Sequence, residues 1–152
     1  MNKIEVSAYD IAQRFVGTKE VLGATSNPQV LAMLRLDESS AIDDAVPWCS
    51  AFINYVAWLL RLPRSKSLLA RSWLTVGEVI SLEEAEPGFD VAIFKRGSGK
   101  QPGPEVIDAP GHVGFFAGID GQKILVLGGN QANCVSISTQ QKADLLGVRR
   151  LA

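Results

Sequence analysis

Apolar positions change their period about halfway along the chain. Up to about residue 80 they recur every three or four places, as in Trp48, Phe52, Tyr55, Val56 and Leu59. That spacing predicts helices over about 7–16, 28–36, 48–61 and 67–80, the last with an apolar face centred on Trp73. From about residue 90 the pattern becomes short apolar runs bounded by Gly, Pro, Asn and Asp, which predicts strands over about 90–95, 112–118, 123–128, 134–138 and 146–151. Helices first and a meander of strands after them predict an α+β fold, with the N-terminal helices packed on one face of an antiparallel sheet. No linker, repeat or low-complexity stretch interrupts residues 1–152, so a single domain is expected.

Composition narrows the function classes. At 152 residues and 47% hydrophobic, the chain can bury a core without disulfides or a structural metal. A formal charge of −1 and a pI near 5.8 leave no broad basic surface, so nucleic acid is not an expected partner. The run Val56-Ala57-Trp58-Leu59-Leu60 is too short to span a bilayer, and stable membrane insertion is not expected. Met1-Asn2-Lys3-Ile4-Glu5-Val6 lacks a signal-like apolar core, which suggests synthesis in the cytoplasm without a signal peptide.

The candidate chemistry centres on the only histidine, His112, in Gly111-His112-Val113-Gly114-Phe115-Phe116, and on Cys49 in Pro47-Trp48-Cys49-Ser50-Ala51-Phe52. With Asp43 and Asp44 as candidate N-caps and Pro47 at an early helical position, Cys49 falls in the first turn of a helix. There, unpaired N–H groups and a neighbouring imidazolium would lower the thiol pKa and hold an oxyanion. The plainer alternative is a packed cysteine and a structural histidine. A nucleophile–base pair also needs a group that orients the imidazole. If strands 112–118 and 123–128 form a hairpin around Ile119-Asp120-Gly121-Gln122, Asn130 lies level with His112; Gln131 competes for the same role, and Asn130 also suits a turn with positive φ.

Other features exclude more than they suggest. Cys134 is the second cysteine; a bond to it would silence Cys49, so the catalytic reading needs Cys49 reduced. One His and two distant Cys do not fill a zinc ligand set, and Asp37, Glu38, Asp43 and Asp44 lack calcium-loop spacing, so no metal is expected. Gly97-Ser98-Gly99-Lys100 looks like the end of a phosphate loop. Phe94 stands where that motif requires glycine and Gln101 follows the lysine, which rejects nucleotide binding. The loop running on to Pro110 reads either as a cleft wall or as a solvated connection. Trp48 and Trp73 are candidates to line a cleft, against the competing reading of core residues.

Taken together, the two segments above, Ala70-Arg71-Ser72-Trp73-Leu74, Phe89-Asp90-Val91-Ala92-Ile93-Phe94, Leu127-Gly128-Gly129-Asn130-Gln131 and Leu146-Gly147-Val148-Arg149-Arg150 resemble a compact family of cell-wall hydrolases. This is the NlpC-type and CHAP (cysteine- and histidine-dependent amidohydrolase/peptidase) group, common in phage lysins. The resemblance implies a papain-like fold and hydrolysis of a peptidoglycan amide bond, with Cys49 as nucleophile, His112 as general base and Asn130 as orienting residue. Trp48, Trp73 and Gln131 would then contact substrate, no cofactor would be needed, and the protein would act as a monomer. Bacterial peptidoglycan is the implied partner, reached by holin-assisted release or by a secretion machine. Two alternatives stay open: an effector amidase with a cognate immunity protein, and a catalytically idle module that grips cell wall or a virion partner.

Overall fold

The computed structural model describes residues 2–21, 25–41 and 46–152; Asp43 and Asp44, the expected N-caps, lie outside them. Three helices come first: α1 (Ala8–Gln13), α2 (Pro28–Arg35) and α3 (Cys49–Leu59). A capping box opens α1, with the Asp10 N–H donating to Ser7 Oγ at 3.2 Å and the Ser7 N–H donating to Asp10 Oδ2 at 2.9 Å. Asn27 caps α2 through Oδ1, which accepts from the Gln29 N–H at 2.9 Å, and Pro28 takes the first helical position, where no N–H is needed.

Six strands follow: β1 (Glu78–Ile80), β2 (Asp90–Lys95), β3 (Gly111–Asp120), β4 (Lys123–Gln131), β5 (Cys134–Gln141) and β6 (Leu145–Arg150). They form one antiparallel sheet in the order β1-β6-β2-β3-β4-β5. The architecture is therefore α+β, as the change of period predicts. One expected element differs. Instead of a helix over about 67–80, residues Ala70–Thr75 make a 3-10 turn and Glu78–Ile80 pair with β6. Gly77 separates the two with φ 74, and its Cα lies so close to the Arg150 carbonyl that no Cβ would fit. The apolar spacing at Ala70, Trp73 and Leu74 is real burial, but it lasts a turn and a half.

Alternation in β2 shows how the sheet is covered. Val91 and Ile93 face the helices, where they join Phe52, Ile53, Val56, Val113, Phe115 and Leu127 in the main core. Ala92 and Phe94 face the other way, into a smaller cluster with Phe116, Ile124 and Val126 under Leu82, Ala85 and Leu145. Phe52 meets Phe15 and Phe115 edge to face at 6.0 and 6.2 Å, so truncating it would cost about 3–5 kcal/mol. Arg150 clamps β6 to β2 by a bidentate pair with the fully buried Asp90, at 2.8 Å for both contacts. The start of α3 is set against β4 at Gly129, where a Cβ would stand 2.8 Å from both Trp48 and Phe52. This close approach fixes the height of Cys49 over the sheet. No helix of the described residues is long and apolar enough to cross a membrane.

Candidate active site

Cys49 is the first residue of α3, as its sequence position predicts, but the cap differs from the expectation. Trp48 occupies the N-cap position with φ −124 and makes no side-chain cap, and Pro47 precedes the helix instead of entering it. The first-turn N–H groups are thus left for other work. The backbone N–H groups of Val113, Ser50 and Cys49 favour the thiolate form of Cys49. Val113 joins the core beneath α3, and His112 precedes it at the start of β3, paired across the sheet with Phe94.

Burial dominates the electrostatics of both groups. It pushes the Cys49 thiol up from its ordinary value, against the Val113 N–H, the Arg96 charge and the N–H groups of Ser50 and Cys49, which all pull down. It also pushes His112 down, opposed by the hydrogen bond to Gln131 and helped by the Arg96 charge. With the two residues only 3% and 5% exposed, desolvation favours the neutral form of each. The lowered thiol pKa expected from the helix end does not prevail against this desolvation.

The orienting contact is made by Gln131. Its Oε1 lies 2.8 Å from His112 Nε2, while its Nε2 donates to the Ser136 carbonyl at 2.6 Å and the Val126 carbonyl at 3.3 Å. Carbonyl oxygens only accept, so the amide NH2 must face them and the amide oxygen must face the ring. An amide oxygen also only accepts, which requires a proton on Nε2. The neutral ring therefore carries its lone pair on Nδ1, the nitrogen available as a base.

Asn130, the first expectation for this contact, does not make it. Pairing of β4 with β5 shifts register between Gly128 and Gln131, and Asn130 sits in that bulge with φ 56. The extra residue changes which side chain reaches the histidine, and it hands the place to Gln131. Asn130 keeps the role of a left-handed turn residue. Gly128 makes room for the contact, since a Cβ there would stand 2.8 Å from Gln131 Oε1 and 3.4 Å from His112 Nε2.

Trp48 and Trp73 also depart from expectation. Both are 0% exposed and belong to the main core, so neither can contact substrate. Their indole N–H groups are satisfied internally: Trp48 donates to Glu20 Oε1 at 2.8 Å and Trp73 to Ser50 Oγ at 2.9 Å. The large apolar area of each ring is worth more against α3 and the sheet than in a wet cleft.

Cys49 and His112 line separate openings. A cleft of about 430 Å³ on the Cys49 side is walled by Val46, Pro47, Leu68, Leu69, Ala109 and Pro110. A trough of about 340 Å³ on the His112 side is lined by Asn130, Gln131, Ser136, Ser138, Thr139 and Gln140, with Lys95 and Arg96 on its rim. Arg96 borders both. The end of the loop after β2 forms part of the cleft wall, with Asp108, Ala109 and Pro110 on the Cys49 side, while residues 97–100 are exposed to solvent. Arg71 holds that wall in place. Fully buried, it donates from Nε to the Pro110 carbonyl at 2.9 Å and from Nη1 to those of Pro102, Gly103 and Val106 at 2.9–3.1 Å. Nothing in the periodicity marks Arg71 or Arg96; a charge inside a buried apolar turn is the only hint of the former.

Both cysteines are free, Cys49 buried and Cys134 half-buried. Among the described residues, no group of three His, Cys, Asp or Glu is placed to hold a metal ion. No family model matches the chain, and no curated protein matches it. Among solved structures, the chain is similar to NlpC1 from Trichomonas vaginalis, with a TM-score of 0.56 at 14% identity. The match covers 99% of this chain and 46% of that one, so the chain spans about half the length of its structural neighbour. At that identity the likeness is one of fold, and the fold is NlpC/papain-like.

Proposed function

We propose that this protein is a papain-like cysteine hydrolase that cleaves an amide bond of bacterial peptidoglycan. The observation that carries the reading is the contact between His112 and Gln131, which keeps the proton on Nε2 and leaves Nδ1 free to act as a base. An orienting acceptor on Nε2 is what a histidine acting through Nδ1 requires. The NlpC-like fold and the family resemblance of the cysteine and histidine segments support peptidoglycan as the substrate and an endolysin-type role.

In this mechanism Cys49 Sγ attacks the amide carbonyl carbon as its proton passes to His112 Nδ1. The transfer accompanies the attack because burial keeps both groups neutral at rest. The oxyanion is held by the uncapped N–H groups at the start of α3, Cys49 among them. Collapse of this intermediate breaks the C–N bond, and the amine leaves with the proton from Nδ1. Water then gives a proton to Nδ1 as its oxygen adds to the thioester; collapse releases the carboxylic acid and returns the proton to sulfur. Gln131 accepts from Nε2–H throughout and stabilises the imidazolium.

Incubation of purified peptidoglycan with the protein and with Cys49→Ala, followed by mass spectrometry of the soluble fragments, tests the proposal. Wild type is expected to release fragments with a new amine and a new carboxylate, and the variant none. Equal release by a folded Cys49→Ala protein, or release that chelator abolishes and zinc restores, would overturn it.

A further inference from the structure

Cys49 lines an apolar cleft to which two segments distant in the chain contribute, Leu68 with Leu69 and Ala109 with Pro110. Neither segment belongs to a helix or a strand, so side-chain contacts made elsewhere must fix their places.

The first segment is tied to α3. Ser50 and Asn54, both fully buried and one turn apart, donate to the Ser67 carbonyl from Oγ at 2.6 Å and from Nδ2 at 3.2 Å. Asn54 Oδ1 also accepts from the Lys66 N–H at 3.0 Å. Leu68 and Leu69 therefore follow the helix that carries Cys49. The second segment depends on Arg71. No sheet ladder holds residues 101–110, and Nε and Nη1 of Arg71 between them serve four of their carbonyls, from Pro102 to Pro110. The Arg71 stem also lies against Gly111, where a Cβ would stand 2.8 Å from its Cγ. Two residues on in the same 3-10 turn, Trp73 Nε1 donates to Ser50 Oγ at 2.9 Å, so one turn links both segments.

Arg71 is fully buried, makes no ion pair among the described residues, and leaves Nη2 without a hydrogen-bond partner. Filling the space needs no charge, since an apolar side chain of similar volume avoids the desolvation. An apolar chain cannot, however, fork several carbonyls of a loop that has no ladder. We infer that Arg71 is a substrate-positioning residue: it holds Ala109 and Pro110 at a fixed distance from Leu68 and Leu69, and so sets how closely the cleft fits the group seated beside Cys49. The inference rests on the hydrolase reading for its substrate and adds the residue that fixes the fit. His112 is held independently, by its strand partner Phe94 and by Gln131, so the effect falls on binding more than on the chemical step.

The test compares wild type with Arg71→Lys, which keeps the charge but lacks the fork, and with Leu74→Ala, which removes core packing from the same turn and none of the four loop contacts. On soluble muropeptides, Arg71→Lys is expected to raise KM by about 10-fold, with kcat within about 3-fold of wild type. A second measurement needs no hydrolysis and uses Cys134 as the internal reference. Wild-type Cys49 should prefer N-methylmaleimide to N-cyclohexylmaleimide by about 10-fold more than Cys134 does, read by peptide mapping, and Arg71→Lys should lose that excess. Leu74→Ala should unfold at lower temperature but match wild type in both measurements. Pro110→Gly loosens the same segment from the loop side; it should shift both measurements in the direction of Arg71→Lys, and it decides the matter if Arg71→Lys does not fold. An unchanged KM or an unchanged maleimide preference in the folded variant overturns the inference while sparing the hydrolase. The same shifts in Leu74→Ala also overturn it, because lost stability alone would then account for them. Cleavage of no muropeptide by wild type overturns the hydrolase reading and the substrate-positioning role with it.

Discussion

Two segments carry the residues of the proposed chemistry, and they are built on opposite terms. The start of α3 is regular backbone: Cys49 is helical, anchored by Trp48 and Phe52 against the close-packed Gly129, and it needs no unusual dihedral. The β4–β5 turn is irregular, with a bulge after Gly128 and positive φ at Asn130, Ala132 and Asn133. The proposed nucleophile is thus positioned by packing, and Gln131, which contacts the proposed base, is positioned by an irregular backbone. Side-chain changes at the first segment should remove chemistry and leave the fold, whereas changes at the second should act through geometry as well as chemistry.

The largest effect tests the regular segment. Cys49→Ala and His112→Ala should each lower turnover on peptidoglycan by about four orders of magnitude or more, and the double variant should be no worse than either, because nucleophile and base act as one unit. Thermal unfolding should shift little for Cys49→Ala, whereas Cys134→Ser should leave activity near wild type. Additive losses in the double variant would show that the two residues do not share a step.

Next in size are changes at the irregular segment. Gln131→Ala removes the acceptor that holds the ring, and a misaligned base costs about 10²-fold in turnover. Gly128→Ala should show a milder version of the same defect, since its new Cβ would press on Gln131 Oε1 without deleting it. If Gln131→Ala is near wild type while Asn130→Ala is crippled, the assignment of the orienting residue is wrong and the bulge has been misread.

A pH profile sharpens the comparison further. His112 must be neutral to accept the thiol proton, and burial lowers its pKa. The acid limb of kcat/KM should therefore fall below the ordinary histidine value of about 6.5. The buried thiol is raised, so the alkaline limb should lie above the ordinary cysteine range of about 8.5. Because the Gln131 contact raises His112, the residual activity of Gln131→Ala should have its acid limb at still lower pH. An acid limb displaced upward in that variant would mean that the amide opposes the imidazolium and does not support it.

This contrast also explains what could be read from the chain alone. Helical spacing places Cys49 in a first turn even when the boundary is uncertain by a residue, because the whole turn shares the free N–H groups. The glycine-flanked strands around His112 are legible for a similar reason, since alternation survives small errors of length. The choice between Asn130 and Gln131 is not, because a single extra residue reverses which side chain points inward, and no local propensity announces a bulge at Gly128-Gly129-Asn130. Trp48 and Trp73 mislead in another way: apolar spacing shows that they face something, and only the packing shows that it is the core. Arg71 and Arg96 act through tertiary contacts with segments far along the chain, which periodicity cannot reveal.

The smallest expected effect isolates backbone from side chain at the bulge. Asn130 holds φ 56, a conformation that costs most residues about 1 kcal/mol or more and that Asn and Gly adopt readily. Asn130→Ala should therefore lose stability by about 1 kcal/mol, while Asn130→Gly should lose little, as measured by denaturant midpoints. Turnover in both folded variants should stay near wild type, since Gln131 keeps its contacts with the Ser136 and Val126 carbonyls and with the ring. A folded Asn130→Gly protein with a large loss of turnover would show that the Asn130 side chain itself takes part in the reaction, and the division between a strained turn residue and its orienting neighbour would fail.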